Sequence, residues 1–187
     1  VQHVKSDDAV FGFASGSLAS LARSPSQLLA RKPHRLSYEE TSTLPIVWST
    51  THVAFAGAKL FAKRRALIHA AAGGVGLVAL EYGGLLAIQT EATAGQASKH
   101  RAVIAARHFA QSSRSVTAFA LGILGQLAGM RLHTTLNSLS GDFIVVSVAA
   151  QGECSCLEEI GKRAVWSDPR ALAASAHATF HTLAVDM

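Results

Sequence analysis

Ala71, Gly73 and Gly76, in the stretch ALIHAAAGGVGLVALEY, stand at the spacing of a G-x-G-x-x-G turn whose first glycine is replaced by alanine. Small residues at these places permit a tight turn. They also let backbone N–H groups approach a pyrophosphate and let the following helix pack close to the strand before it. The turn follows a short apolar run and opens a helix, whose N-terminal dipole favours an anion. On spacing alone two readings stand: a phosphate cradle, and a glycine corner without a ligand.

About 20 residues further on, such a turn usually has an Asp or Glu that holds a ribose 2′-hydroxyl. This chain has TAGQASKHR instead. Lys99 and Ser98, with Arg101, could meet a 2′-phosphate, so charge complementarity favours NADPH over NADH. A solvated helix start is the alternative, more so for Arg101 than for Lys99. Asn137 and Ser138 close a later strand, where their backbone could touch the nicotinamide half of such a cofactor or simply pack the turn.

Other polar residues have plainer readings. His177 and His181 stand four apart, a metal-binding spacing on a helix, but no third ligand is near in sequence and a surface pair is expected. Cys154 and Cys156 would share one face of a strand, too close for an ordinary disulfide and too few for a structural zinc site. They are expected as buried small side chains, and no metal is expected. His52 could line the cofactor cleft, though a core position on an amphipathic helix suits it better.

The elements that must position these residues can be read from texture. Residues 1–35 carry short apolar pieces (AVFGFA, SLASLA, SQLLAR) broken by Gly, Ser and Pro, which suggests β-rich, loop-rich structure. From LSYEETSTLPIVW onward the pattern is helical, with Ser37 or Thr41 as cap, Pro45 in a first turn, and Leu44, Trp48, Thr51 and Phe55 near helical spacing. Strands and helices then alternate: RALIHAA, IQTEATAG, LHTTLNSL and SCLEEIG as strands, GGVGLVALEYGGLLA, ASKHRAVIAARHF, SVTAFALGILGQLAG and GDFIVVSVAAQ as helices, and FAQSSRS as a polar link. That order specifies an α/β fold, a parallel sheet with helices on both faces.

Composition agrees. The chain has 187 residues, 49% of them hydrophobic and 16% charged, as expected of a folded globular protein, and its length suits one domain with a real core, or one domain and a piece of a second. No apolar run approaches the roughly 18 residues of a membrane span, and no signal-peptide pattern opens the chain, so a soluble cytoplasmic protein is expected. The net charge of +5, with local clusters at Lys59, Lys63, Arg64 and Arg65 and at Arg31, Lys32, His34 and Arg35, suits a phosphorylated cofactor or an acidic carrier domain. An aromatic fraction of 6% without a basic–aromatic stripe argues against nucleic acid.

Taken in order, LPIVWSTTHVAF, LIHAAAGGVGLVALEY, TAGQASKHR, SSRS, LNSLSGDFI and LEEIGKRAVWSDPR resemble the enoyl reductase domain of modular polyketide synthases and animal fatty acid synthase. That domain is a zinc-free branch of the medium-chain dehydrogenase/reductase superfamily. The resemblance runs from about Asp8 to Asp186; a quinone reductase of the superfamily shares the first motif and matches the later ones less well.

It implies a Rossmann-type domain over residues 46–187, incomplete at its C-terminus, preceded over residues 1–45 by part of a GroES-like substrate domain. It implies hydride transfer from NADPH to the β-carbon of a trans-2-enoyl thioester on an acyl carrier protein, beside neighbouring synthase domains. The family's cofactor turn falls on Ala72, Gly73, Gly74, Val75 and Gly76, its 2′-phosphate lysine on Lys99, and its nicotinamide-side threonine on Thr50. Its lysine and aspartate, as proton donors or oxyanion stabilisers, fall on Lys162 and Asp186.

Departures accompany the match. The family's Y-P-G-like segment is absent, the only tyrosines being Tyr38 and Tyr82. Gln89 and Glu91 fall in what should be a buried strand. Gly83 and Gly84 interrupt a helix, and Lys63 stands where the family often has a turn glycine. A catalytically silent structural or nucleotide-binding module of the same ancestry is therefore the alternative to an enzyme.

Overall fold

The computed structural model describes residues 4–105, 109–163 and 165–183. Two compact units divide between Ser49 and Thr50, within a helix.

The first unit holds a small antiparallel ribbon, β1 (Val10–Gly12) with β2 (Leu29–Arg31), joined through a 3₁₀ turn at Ser26–Leu28. Gly12 has φ of 156°, and a Cβ there would overlap the Leu28 carbonyl, so the ribbon can close only on glycine. Helix α1 (Tyr38–Ser42) begins at a capping box: Glu40 N–H donates to Ser37 Oγ (3.1 Å) and Ser37 N–H to Glu40 Oε2 (2.8 Å). Ser37 is thus the cap, and Thr41, the other candidate, lies inside the helix with its hydroxyl on the Ser37 carbonyl. Helix α2 (Leu44–Gly57) follows with Pro45 in its first turn.

The second unit is the parallel sheet. Its elements are β3 (Arg65–Ile68), α3 (Gly74–Leu85), β4 (Gln89–Ala94), α4 (Ala97–Ala105), β5 (Phe109–Ser112), α5 (Val116–Leu127), β6 (Leu132–Asn137), α6 (Asp142–Ala150), β7 (Gln151–Glu159), α7 (Asp168–Ala174) and β8 (Ala178–Thr182). The strand order is β5-β4-β3-β6-β7-β8, all parallel, which is the doubly wound arrangement with its switch point between β3 and β6.

Strand alternation divides the core between the two faces. Ile68 packs with Phe55, Ala79, Leu80 and Val103, from α2, α3 and α4. Its neighbour Leu67 packs with Phe119, Ile123 and Leu127 of α5 and Ala150 of α6. Among the described residues no helix is long and apolar enough to cross a membrane.

Several expectations change. The first four residues of FAQSSRS form a strand where a link is expected, and only residues 113–115 link it to α5: Glu91 pairs with Phe109 and Ala94 with Ser112. As an edge strand with none of its side chains fully buried, β5 tolerates Gln and Ser, and so lacks the apolar signature of a central one. His177 and His181 belong to the approach and body of β8, not to a helix, because Leu157 and Glu158 of β7 offer it a ladder. Cys156 is buried, but Cys154 is exposed at φ 55°, where β7 shifts register against β6. Lys63 takes φ 69°, the backbone that the family's glycine would supply.

Candidate functional site

The turn between β3 and α3 is built from hydrogen bonds to one threonine. Ala70 N–H donates to Thr93 Oγ1 (3.1 Å) and Ala71 N–H to the Thr93 carbonyl (2.8 Å), while Gly73 N–H returns to the Ala70 carbonyl (2.8 Å). These bonds hold Ala70 at φ 48°, a left-handed conformation that a residue with a side chain adopts only when its surroundings fix it. A Cβ on Gly76 would lie 2.5 Å from Ala71 Cα and 2.7 Å from the Ala70 oxygen, so glycine alone lets α3 start this close to the strand. Gly73 caps the helix without a side-chain bond. The N–H groups of Gly74, Val75 and Gly76 have no acceptor within the helix and form the positive end of its dipole.

Beneath the turn, His69 is buried. Its Nδ1 lies 3.1 Å from Thr93 Oγ1 and its Nε2 2.8 Å from Ser147 Oγ. The Ser147 hydroxyl donates to the Phe143 carbonyl (2.7 Å), so it accepts from Nε2–H. The Thr93 hydroxyl accepts from Ala70 N–H and donates to Nδ1. The network therefore assigns the neutral Nε2–H tautomer, and burial pushes the imidazole pKa down to about 3. His69 is a structural floor that fixes Thr93, and Thr93 fixes the turn.

The turn opens onto a cleft of about 260 Å³ at the C-terminal ends of the strands. Ala70, Ala72 and Gly73 form one wall; Ala94, Gly95, Gln96 and Lys99 form the second; Ser113, Arg114 and Leu139 complete it. Arg114 Nε donates to the Gly95 carbonyl (3.3 Å) and its N–H to Ser112 Oγ (3.1 Å), while Ser115 caps α5 by accepting from Ala118 N–H (3.2 Å). Two cations, Lys99 and Arg114, thus line the cleft beside the end of β4, and no carboxylate does among the described residues.

Of the residues singled out by sequence, Ala72, Gly73 and Lys99 line this cleft, and Gly74, Val75 and Gly76 supply the helix start next to it. Ser98 is exposed on α4, and Thr50 is buried on α2. His52 is exposed, its Nδ1 2.9 Å from the Tyr82 hydroxyl, rather than in the core. Asn137 is buried; it donates from Nδ2 to the Leu139 carbonyl (2.8 Å) and so shapes the segment that carries Leu139 to the cleft. Lys162 is exposed just beyond β7 and is not among the lining residues. Asp186 lies outside the described residues. Arg114 was missed: the signal was its place in SSRS, after a strand misread as a link and directly before an N-capping serine.

No family model matches the chain. Among curated proteins it is 32% identical over 166 residues to a highly reducing polyketide synthase of Gibberella zeae, covering 86% of the chain and 7% of that protein. It is 35% identical over 160 residues to an erythronolide synthase of Saccharopolyspora erythraea, covering 83% and 4%. The chain therefore spans less than a tenth of the length of these relatives. Among solved structures, the CurK enoyl reductase superposes with a TM-score of 0.80 at 29% identity, over 84% of this chain and 48% of that one. The nucleotide-binding subdomain of the enoylreductase domain of PpsC from Mycobacterium tuberculosis gives 0.67 at 28%, over 75% and 80%.

Proposed function

We propose that this chain, a homologue of the enoyl reductase domain of polyketide synthases, binds NADPH in the cleft below the Ala70–Gly76 turn and serves reduction of a carrier-bound trans-2-enoyl thioester. The observation that carries this is the meeting at one cleft of a helix N-terminus built on Gly73, Gly74 and Gly76 with two cations, Lys99 and Arg114. The cradle fits the group, because the space a Cβ would fill at Gly76 is closed by backbone and the donors before it are free of side-chain caps.

The backbone of Ala72–Gly76 would hold a pyrophosphate, Lys99 and Arg114 a 2′-phosphate, and the segment from Asn137 to Leu139 the nicotinamide end. Ser98 and Thr50 are the further cofactor contacts implied by the family match. When bound, NADPH supplies hydride to the β-carbon of the enoyl thioester. Lys162 has the chemistry to stabilise the developing thioester oxygen and to hold the proton destined for the α-carbon at its Nζ; Asp186 is its proposed carboxylate partner. The GroES-like character of residues 1–45, the Rossmann character of residues 46–187, the acyl carrier protein as partner, the neighbouring synthase domains and the cytoplasmic setting belong to this same proposal. A quinone-reductase role is the weaker reading: a mycobacterial quinone oxidoreductase matches at 20% identity, which supports the fold alone.

Titration of the purified chain with NADPH, with NADH and a Lys99→Ala variant alongside, tests the binding half. Saturable binding that prefers NADPH and weakens without Lys99 is expected, and no binding by a folded chain overturns it. Turnover on a crotonyl thioester then separates an enzyme from a silent nucleotide-binding module.

A further inference from the structure

Three different donor atoms converge on the β7–β8 edge of the sheet, away from the glycine turn. Cys156 Sγ lies 3.0 Å from Glu158 Oε1 and 3.4 Å from His181 Nδ1, and that same nitrogen lies 2.9 Å from Glu158 Oε1. The alternation of β7 puts residues 156 and 158 on one face, and the parallel register sets His181 beside Glu158. From these atoms we infer that Cys156, Glu158 and His181 form a binding site for a divalent ion of the zinc class.

Geometry supports a metal over a catalytic relay. In a nucleophile–histidine–carboxylate relay the two ring nitrogens divide the work, one facing the nucleophile and the other the acid. Here Nδ1 faces both. Bond lengths of about 2.0–2.3 Å around a tetrahedral zinc place its ligand atoms roughly 3.3–3.6 Å apart. The observed 2.9–3.4 Å triangle reaches that spacing by opening a few tenths of an ångström.

An independent observation points the same way. Glu158 is completely buried, and its Oε2 has no hydrogen-bond partner among the described residues. A buried, half-satisfied carboxylate is costly unless a cation neutralises it. The end of α2 abuts the same atoms, since a Cβ on Gly57 would lie 3.3 Å from Glu158 Oε1 and 3.7 Å from His181 Nδ1. A helix C-terminus favours positive charge there.

Thiolate, imidazole and carboxylate together select a borderline-soft ion such as Zn²⁺ over Mg²⁺ or Ca²⁺. A cavity of about 700 Å³ reaches Cys156 and His181 and gives solvent access to a fourth position. Lys59 and Arg64, also on its wall, suit an anionic fourth ligand. Binding replaces the Cys156 S–H bond with an S–metal bond and releases that proton to solvent, with no change of oxidation state. The hydrogen that Nδ1 shares with Glu158 Oε1 passes to Nε2 as the neutral ring changes tautomer, which frees the Nδ1 lone pair for the ion. The ion would clamp the edge strand β8 to β7.

The test uses the 187-residue chain, Co²⁺ as spectroscopic probe and Zn²⁺ as competitor, under reducing conditions. One equivalent of Co²⁺ displaced by Zn²⁺, with a thiolate-to-cobalt charge-transfer band and tetrahedral visible bands, is expected. Cys156→Ser and His181→Gln should lose the band and weaken binding by at least ~100-fold, whereas Cys154→Ser should keep both. The His181 side chain is 41% exposed, so its variant should stay folded, as checked by circular dichroism. Absence of stoichiometric binding by the folded chain, binding unchanged in His181→Gln, or loss in Cys154→Ser in place of Cys156→Ser would each overturn the site. None of these outcomes depends on NADPH.

Discussion

Asn137 donates from Nδ2 to Glu159 Oε2 across 2.5 Å, tying the C-terminal ends of β6 and β7. The other carboxylate oxygen accepts from Gly161 N–H (2.6 Å), and Ile160 N–H donates to the Asn137 carbonyl (2.9 Å). One buried pair therefore fixes both the segment leading to Leu139 and the turn leading to Lys162.

Asn137→Ala should destabilise the chain by about 1–3 kcal/mol, because Glu159 keeps its burial and loses a donor. Burial raises the Glu159 pKa, while Asn137 and Gly161 pull it down. A raised folded pKa means that stability is full below the unfolded value and is lost as pH rises through the folded one. Removing Asn137 extends that loss, so the variant's deficit, by urea unfolding, should be larger at pH 7 than at pH 5. A pH-independent deficit would contradict this account.

The glycines of α3 should separate cleanly. Gly76→Ala forces a Cβ against Ala71 and Ala70 backbone and should cost about 1–3 kcal/mol by overpacking. A Cβ on Gly84 meets nothing within 4 Å, so Gly84→Ala should gain about 0.5–1 kcal/mol through helix propensity. Gly83→Ala would meet Thr90 Cγ2 at 2.8 Å and should not share the gain. Melting temperatures of the three variants check the order.

Periodicity made the α/β order and the glycine turn legible, because the buried strand pieces and the helix start leave local signals in residues 65–85. It failed where burial is partial or decided by a neighbour. β5 reads as a polar link since an edge strand needs no apolar run, and with it went Arg114. His181 looked isolated since its companions, Cys156 and Glu158, arrive through the β7–β8 ladder and not through sequence spacing. Glu91, out of place in a buried strand, is buried with Arg65 Nη1 3.5 Å away.

Arg114 supplies a prediction for cofactor choice. Lining the cleft with Lys99, it should share the 2′-phosphate charge. Arg114→Ala should weaken NADPH by about tenfold or more, the scale of one charge-assisted hydrogen bond, and leave NADH nearly unchanged. Arg101, exposed on α4 and outside the cleft lining, should be neutral when changed to alanine. Parallel titrations of the two nucleotides read the difference, and equal loss for NADH would remove Arg114 from that role.

His69 should set the acid limb of stability. Its pKa is near 3 in the folded chain against an ordinary value near 6.5. The folded state therefore stays neutral while the unfolded chain takes up a proton. The depressed folded value makes this contribution complete above about pH 6.5 and progressively lost as pH falls toward 3. The slope is about 1.4 kcal/mol per pH unit for one proton. Glu91 and Glu159, both raised by burial, act with opposite sign as pH rises, so the net curve alone is not diagnostic. The difference between wild type and His69→Gln cancels the groups that the substitution leaves alone. Urea unfolding at pH 7, 6 and 5 should show the stability gap narrowing below pH 6.5 by about that slope, because only wild type loses stability to this proton. Parallel curves would mean that His69 is not held neutral, and the Thr93–Ser147 network under the turn would need a different proton assignment.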